Sequence, residues 1–282
     1  MKKNNFSRFE KFELNGKFAI ITGAAGLLGL EHCRALLEAG ANIVLWDIDQ
    51  EALHLTKSVL EKEFSDAKIL TQLVDVTNEE KVRSAFQEIQ SSGNNVTILI
   101  NNAAINPNYQ AVTDSLFKSR LENFDLNDWN FQINVGLTGA FICSKIIGSR
   151  MAELKQGVIL NIGSDLSIIA PDQRIYELDN TQSDLQPVKP VTYSVIKHGL
   201  IGLTKYLATY WRLEGVRVNT LSPGGVLENQ RPDFISKVTN LIPMGRLAEK
   251  NEYKSAVQFL CSDASSYMTG QNMVIDGGRS VW

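Results

Sequence analysis

Residues 17–29 read KFAIITGAAGLLG, and this stretch decides the fold. Its first six residues are mainly apolar and end at a glycine, as a buried strand does. The glycines at positions 23, 26 and 29 then lead into a segment with helical apolar spacing that stops at Gly40. A strand, a glycine-rich turn and a helix in this order predict a dinucleotide-binding fold, because the helix N-terminus and close backbone approach suit a pyrophosphate.

The next predicted strand ends in a carboxylate. Residues 42–46 (NIVLW) form a second apolar run, and Asp47 follows it, 18 residues after Gly29. A carboxylate at this place accepts hydrogen bonds from the adenosine ribose and repels a 2′-phosphate. Since residues 24–28 contain no lysine or arginine, the sequence predicts NAD(H) rather than NADP(H) as the cofactor. A solvated charge at a strand end is the alternative reading of Asp47.

Strands and helices alternate along the rest of the chain. The predicted strands cover residues 68–74, 96–100, 157–162, 216–220 and 272–275. The predicted helices cover residues 27–39, 49–63, 78–92, 127–153, 192–211 and 249–261. This alternation predicts an α/β fold, a Rossmann-like doubly wound parallel sheet with helices on both faces. We expect a short tail at residues 1–13 and a single domain over residues 14–282.

Composition argues against several classes of function. The 282 residues are 44% hydrophobic with a formal net charge of −3, and no basic stripe marks a nucleic-acid site. The first residues lack the apolar core of a secretory signal, and no uncharged apolar run reaches the about 18 residues of a membrane span. The three cysteines lie far apart in apolar segments, which predicts buried free thiols rather than a metal site. We expect a cytoplasmic enzyme with a small-molecule substrate.

Tyr193 and Lys197 lie four positions apart on a predicted helix, so a phenol and an ammonium share one face. A free tyrosine has a pKa of about 10 and is a poor base at neutral pH. A neighbouring ammonium favours the phenolate and lowers that pKa. This spacing is common in proteins, and a surface pair is the alternative unless other motifs accompany it.

Such motifs are present, and with them the chain resembles the short-chain dehydrogenase/reductase superfamily over nearly its whole length. In chain order they are TGAAGLLG at 22–29, Asp75, NNAA at 101–104, Asn134 in QINVGLTGAF, Ser164 in NIGS, YSVIK at 193–197, RVNTLSPGGV at 217–226 and DGG at 276–278. The resemblance implies an NAD(P)-dependent oxidoreductase of the shorter-subunit branch. It also implies a homo-oligomer, a tetramer or a dimer.

For catalysis the resemblance implies four residues. Tyr193 would donate or accept the hydroxyl proton, and Ser164 would hold and polarise the substrate oxygen. Lys197 would bind the nicotinamide ribose and lower the tyrosine pKa, while Asn134 would hold a water that relays protons to solvent. For the cofactor the resemblance implies contacts with Gly23, Ala25, Gly26, Leu27, Leu28, Gly29, Asp47, Asp75, Val76, Asn102, Ala103, Ala104, Tyr193, Lys197, Pro223, Gly224 and Val226.

The sequence departs from the pattern of this branch in two places. The glycine turn is spaced TGxxGxxG rather than TGxxxGxG, with Leu27 where a glycine is expected. Ser164 and Tyr193 are 29 positions apart, about twice the family spacing, and the extra residues fall within about 169–190. Because both ends of this insert are tethered at catalytic residues, it must lie over or beside the substrate pocket.

The segment at 223–243, where the family has its usual substrate lid, is short in this chain. We therefore expect the insert to replace that lid and to recognise a polar substrate. The candidate substrate contacts are Arg174, Tyr176, Lys189 and Arg231, with solvated surface charges as the alternative for the cations. The insert, the turn and the ending at 268–282 resemble oxidoreductases of bacterial surface-carbohydrate and flagellin-glycan clusters. That resemblance implies interconversion of an alcohol and a ketone on a sugar, sugar phosphate or nucleotide sugar.

Two other functions remain open at this point. The same chemistry on a 3-oxoacyl thioester or a simple polyol is one, although a long acyl chain would favour an apolar lid and this insert is polar. A non-catalytic NAD-binding sensor or scaffold is the other. Such a protein has no need of the catalytic residues, and their joint presence favours an enzyme.

Overall fold

A computed structural model describes residues 9–105 and 118–282 of the chain. The strands in these residues are β1 (Phe18–Thr22), β2 (Asn42–Asp47), β3 (Ile69–Leu73), β4 (Val96–Asn101), β5 (Gly157–Ile162), β6 (Val216–Pro223) and β7 (Asn272–Ile275). The helices are α1 (Leu27–Glu38), α2 (Gln50–Glu63), α3 (Glu79–Ser91), α4 (Leu126–Glu153), α5 (Val191–Tyr210), α6 (Pro232–Thr239) and α7 (Lys254–Cys261). Two π-helical turns, Asn134–Thr138 and Ser144–Gly148, lie within α4.

All seven strands pair in parallel in one sheet, in the order β3-β2-β1-β4-β5-β6-β7. The chain runs outward from β1 to β3 and then returns to β4 on the other side of β1. This reversal leaves a crevice at the carboxyl edge of the sheet, where ligands bind in folds of this kind. The predicted Rossmann-like doubly wound sheet is therefore confirmed.

Two apolar layers cover the faces of the sheet. On one face, Ile21 of β1 packs in a cluster that includes residues of α1 and α7. On the other, Ile20 packs in a cluster that includes residues of α3, α4 and α5. Because both faces are covered, the central strands are apolar at nearly every position rather than at alternate ones.

The helix α4 is long and apolar enough to cross a membrane by length and composition alone. In this fold, however, 56% of its most apolar window is buried inside the protein, against the sheet and α5.

Cys33, Cys143 and Cys261 are all buried and unpaired, as the sequence predicts.

Most element boundaries agree with the sequence prediction, and the differences have local causes. The last strand matches fully, and the predicted cap Asn78 accepts a hydrogen bond from the Lys81 N–H at the start of α3. The strand β6 runs three residues further than predicted, to Pro223, since it pairs with both β5 and β7. Of the predicted tail at 1–13, residues 1–8 lie outside the described residues, and Phe12 packs on Phe259 of α7 with ring centroids 6.3 Å apart.

Gly29 packs beneath the glycine turn, where a side chain has no room. A Cβ built there would lie 2.2 Å from the Gly23 carbonyl oxygen. We expect Gly29→Ala to push α1 away from the turn and to lower the free energy of unfolding by about 1–3 kcal/mol, the usual cost of overpacking. Urea denaturation measures this loss, with Ser58→Ala on the exposed side of α2 as the control. An unchanged midpoint for Gly29→Ala would contradict the close contact.

Candidate active site

A cavity of about 950 Å³ lies at the carboxyl edge of the sheet. Its volume is near the upper end of the range for small-molecule sites, as a dinucleotide and a substrate together require. Every residue predicted to contact the cofactor lines this cavity except Gly29, which supports the turn from below. The residues predicted for the cofactor therefore lie together along one cavity, and their contacts with a cofactor remain a prediction.

The glycine turn is held in place by the end of β4. The Asn102 side chain donates hydrogen bonds to the carbonyl oxygens of Thr22 (3.1 Å) and Gly23 (2.9 Å). Gly23 has φ +60°, and a Cβ there would lie 2.8 Å from the Ala103 Cα, so only glycine fits. The helix α1 begins at Leu27, which lines the cavity, and its first N–H groups have no partner within the helix. A helix N-terminus of this kind suits a diphosphate.

Two carboxylates extend this half of the cavity. Asp47 Oδ2 accepts a hydrogen bond from the Ala25 N–H (3.0 Å), so the end of β2 is fastened to the turn. Asp75 Oδ1 accepts from both the N–H (2.9 Å) and the hydroxyl (2.7 Å) of Thr77, which fixes the loop after β3. A helix N-terminus, a carboxylate at the end of β2 and the buried lysine described next suit the diphosphate and ribose groups of a nicotinamide dinucleotide, so the residues present fit that cofactor.

The catalytic end brings together three predicted residues from two elements. Ser164 follows β5, and Tyr193 and Lys197 lie on the first turns of α5; all three line the cavity. The Lys197 ammonium donates a hydrogen bond to the Ile162 carbonyl oxygen (2.7 Å), which ties α5 to the end of β5. The Ser164 hydroxyl donates to Asp165 Oδ1 at 2.7 Å.

Burial dominates the proton affinities at this end. It raises the pKa of Tyr193, and the hydrogen bond with Ser164 opposes that rise; Asp165 raises the pKa further and Arg279 lowers it. Burial also lowers the pKa of Lys197 to about 8, with a smaller contribution from repulsion by Lys189. An ammonium next to the phenol is therefore needed to offset the cost of forming a buried phenolate.

The structure does not bring Asn134 to this site. Its side chain is exposed, its Oδ1 accepts a hydrogen bond from the Thr138 hydroxyl (3.3 Å), and it does not line the cavity. Gly136, two positions further on, faces α5 instead, where a Cβ would lie 2.7 Å from Ile196. Residues two positions apart lie on opposite sides of a helix, so Asn134 points away when Gly136 faces α5. The expected role of Asn134 in holding a relay water therefore has no support in this structure.

Two of the four candidate substrate contacts reach the cavity. Tyr176 lines it, and Lys189 does so with its Nζ 3.8 Å from the centre of the Tyr193 ring. Arg174 is 80% exposed and bound to Asp172 in its own segment. Arg231 is bound to the nearby carboxylate of residue 233, and neither arginine lines the cavity.

The insert joins the segment after β6 rather than replacing it. Residues 223–243 contain the helix α6, and Ile175 of the insert is buried against Val238 and Ile242 from this segment. The Lys237 ammonium also donates to the Glu177 carbonyl oxygen (2.7 Å). The expectation of a substituted lid is therefore corrected: the insert and α6 form one wall. Pro232 at the first helical position was the sequence signal for α6.

The sequence did not predict a buried ion pair that lies beside Ser164. Arg279 donates to Asp165 Oδ2 at 2.8 Å, and the two side chains are only 8% and 4% exposed. Both line the cavity. The partners are separated by 114 positions, and no periodicity or spacing in the chain connects them.

A family model described as short chain dehydrogenase matches residues 17–176. The chain belongs to the short-chain dehydrogenase family. A second model of this kind, described as enoyl-(acyl carrier protein) reductase, matches residues 181–280. The break between the two matches falls inside the insert. As a short-chain dehydrogenase, the protein is an NAD(P)-dependent oxidoreductase.

Relatives agree with this assignment along the full length. A galactitol 2-dehydrogenase (L-tagatose-forming) of Cereibacter sphaeroides is 33% identical, covering 96% of this chain and 98% of that protein. The crystal structure of a gluconate 5-dehydrogenase from Burkholderia cenocepacia, in complex with NADP and tartrate, is 28% identical with a TM-score of 0.81 and covers 97% of this chain and 99% of that one. A short chain dehydrogenase from Leptospira borgpetersenii with bound NAD⁺ is 31% identical with the same TM-score, covering 95% and 94%.

The buried ammonium of this short-chain dehydrogenase predicts a pH dependence of stability. The pKa of Lys197 in the folded chain, about 8, lies below the about 10.4 of an unfolded lysine. Between these values the unfolded chain binds more protons, so the stability of the wild type rises as the pH increases. We expect Lys197→Met to show a rise smaller by about 1–3 kcal/mol.

Urea unfolding at about pH 7 and about pH 10 measures this difference. Lys205→Met, an exposed lysine on the same helix, is the matched control and is expected to keep the wild-type rise. Equal rises in wild type and Lys197→Met would show that burial does not lower the pKa of Lys197 in the folded chain.

Proposed function

We propose that this short-chain dehydrogenase uses NAD(H) to interconvert a secondary alcohol and a ketone on a polyhydroxylated carbohydrate. The observation that carries the proposal is the convergence of Ser164, Tyr193 and Lys197 at one end of the cavity. Two polar side chains of the insert, Tyr176 and Lys189, line the same cavity. The class of substrate includes sugar alcohols, sugars and sugar acids.

The chemistry follows from what these side chains can do. The bound nicotinamide supplies or accepts the hydride. In oxidation, Tyr193 takes the proton of the substrate hydroxyl; in reduction, its phenol returns a proton to the carbonyl oxygen. Ser164 can hold that oxygen when its hydroxyl, which here donates its only proton to Asp165, turns toward the substrate. The Lys197 ammonium stabilises the phenolate, and its hydrogen bond to Ile162 keeps it in place.

The preference for NAD(H) rests on Asp47. Solved relatives hold NADP in one case and NAD⁺ in another, so membership of the family leaves the choice open. In this chain Asp47 faces the cavity, and its hydrogen bond to the Ala25 N–H keeps the carboxylate there. A carboxylate at this point repels a 2′-phosphate and accepts hydrogen bonds from a ribose.

A carbohydrate substrate is supported by the lining of the substrate end. Tyr176, Lys189 and Gln230 offer hydrogen-bonding groups there. The named relatives include dehydrogenases of galactitol and gluconate. Of the three cationic candidates, Arg174 and Arg231 form ion pairs outside the cavity and only Lys189 lines it, which favours an unphosphorylated substrate.

A 3-oxoacyl thioester is the second candidate substrate. Ile175, Phe234, Val238 and Leu247 give one side of the cavity an apolar surface, which an acyl chain would contact. The second family model, with its reductase description, favours the same reading. A panel of substrates separates the two classes.

We also infer a homo-oligomer in a reducing, cytoplasmic environment. The helices α4 and α5 expose the aromatic side chains of Phe131, Phe141, Tyr206 and Tyr210, and large exposed apolar groups of this kind favour a protein interface. The unpaired buried cysteines agree with a reducing compartment.

Tyr193→Phe tests the proposed function. Loss of the phenolic proton is expected to lower kcat by at least about 10²-fold, because general acid–base catalysis contributes that much or more, while NAD⁺ affinity is retained. Rates are measured with galactitol, gluconate, a nucleotide sugar and a 3-oxoacyl thioester. Tyr210→Phe, exposed on the same helix, is the control. Equal rates for Tyr193→Phe and wild type would refute the assignment, and highest kcat/KM on the thioester would move it to the second class.

Asp47→Ser tests the cofactor preference. Removal of the carboxylate ends its repulsion of a 2′-phosphate, and the ratio of kcat/KM with NAD(H) to that with NADP(H) is expected to fall about tenfold, equivalent to about 1.4 kcal/mol. Glu51→Gln, which removes an exposed charge nearby on α2, is expected to leave the ratio unchanged. A wild-type ratio in Asp47→Ser would show that another group selects the cofactor.

A further inference from the structure

Two lysines flank the proposed catalytic tyrosine at equal distances in sequence. Residues 189–197 read KPVTYSVIK, with Lys189 four positions before Tyr193 and Lys197 four positions after it. Lys197 is part of the predicted catalytic set. Lys189 belongs to the insert, which sets this chain apart from the usual spacing of its family.

The structure places both ammonium groups near the ring of Tyr193. The Nζ of Lys189 lies 3.8 Å from the ring centre, and that of Lys197 lies at 5.7 Å. A cation within about 6 Å of an aromatic ring centre is attracted to its face, and the attraction grows as the pair is shielded from water. By distance, Lys189 is the closer of the two cations to the ring.

The backbone of Lys189 is fixed from two sides. Its N–H donates a hydrogen bond to Gln173 Oε1 (2.8 Å), within the insert. The preceding N–H, of Val188, donates to the Ser119 hydroxyl (3.1 Å). The following residue, Pro190, is buried and is the N-cap of α5, so the position of Lys189 is coupled to the helix that carries Tyr193.

We propose that Lys189 is a positioning residue of the active site, which holds a second positive charge against the Tyr193 ring and so stabilises its phenolate form. This inference rests on the proposed function, in which Tyr193 transfers the substrate proton. It gives the insert a part in the reaction as well as in forming the wall of the cavity.

The other charged and titratable groups near Tyr193 do not replace this charge. Asp165 and Arg279 act on the tyrosine in opposite directions, since the carboxylate raises its pKa and the guanidinium lowers it. They are also bound to each other. Tyr176 of the insert also faces the site, but burial raises its pKa and keeps it neutral. Among the residues that the structure describes, the two lysines are therefore the other cations close to the Tyr193 ring.

The charge of Lys189 is available at neutral pH. Burial lowers its pKa to about 8, while Asp165 opposes this and Arg279 adds to it. Lys189 also lowers the pKa of Lys197, so the two ammonium groups titrate as a pair. At pH 7 both lysines are mainly charged. Because Tyr193 acts as a base in alcohol oxidation, a positive charge on Lys189 is expected to raise the rate in that direction.

Lys189→Met removes the charge with little change in length. The apparent pKa on the rising limb of kcat/KM for alcohol oxidation is expected to move about one unit to higher pH, which corresponds to about a tenfold loss at pH 7. The ultraviolet absorbance of tyrosinate, as a difference from Tyr193→Phe, is expected to shift in the same direction without any turnover. Lys189→Arg, which keeps the charge, is expected to restore both.

Arg174→Met is the matched control, because it removes an exposed cation of the same insert that does not touch Tyr193. It is expected to leave the pH profile as in wild type. If Lys189→Met folds poorly, as shown by its melting temperature, Lys189→Gln provides the same test with a polar side chain. An unchanged pH profile and tyrosinate titration in a folded Lys189 variant would overturn the proposal.

The Tyr193 and Lys189 variants together distinguish a failure of the role proposed for Lys189 from a failure of the proposed function. If Tyr193→Phe is inactive and the Lys189 variants keep the wild-type profile, only the role of Lys189 fails. If Tyr193→Phe is fully active, the proposed function itself fails.

Discussion

The hydrogen bond from the Lys197 ammonium to the Ile162 carbonyl oxygen joins α5 to the end of β5, and the geometry of the active site depends on it. Ser164 follows β5, while Tyr193 is carried by α5 one turn before Lys197. A buried cation needs a strong acceptor, and a strand-end carbonyl supplies one. The same contact therefore satisfies the charge of the lysine and sets the position of the tyrosine relative to the serine.

The sheet, and the grouping of the cofactor candidates in one cavity, could be predicted because their signals are local. Short apolar runs predicted the strands, and the glycine turn with Asp47 predicted residues that line or support one cavity. Each of these patterns spans a few residues and has a direct physical cause, such as the absence of a Cβ where two backbones meet. Asp47 is a partial exception, since its contact with Ala25 joins two segments that only the sheet brings together.

The catalytic end was harder to predict because it depends on orientation and on distant partners. Asn134 matched a motif, but the helix turns its side chain to solvent and presents Gly136 to α5. Arg174 and Arg231 had the right chemistry, yet each is bound to a carboxylate two positions away, outside the cavity. The pair Asp165–Arg279 arises only when the end of the chain returns to β5, and no short pattern predicts such a contact.

The insert also has a consequence for how such an enzyme can diversify. It enters after Ser164 and leaves before Tyr193, and no strand of the described sheet passes through it. Its length and composition can thus vary without shifting the register of any strand or the turn that holds the cofactor. Selection for a new substrate can act on this one segment while the older machinery of the fold is inherited unchanged.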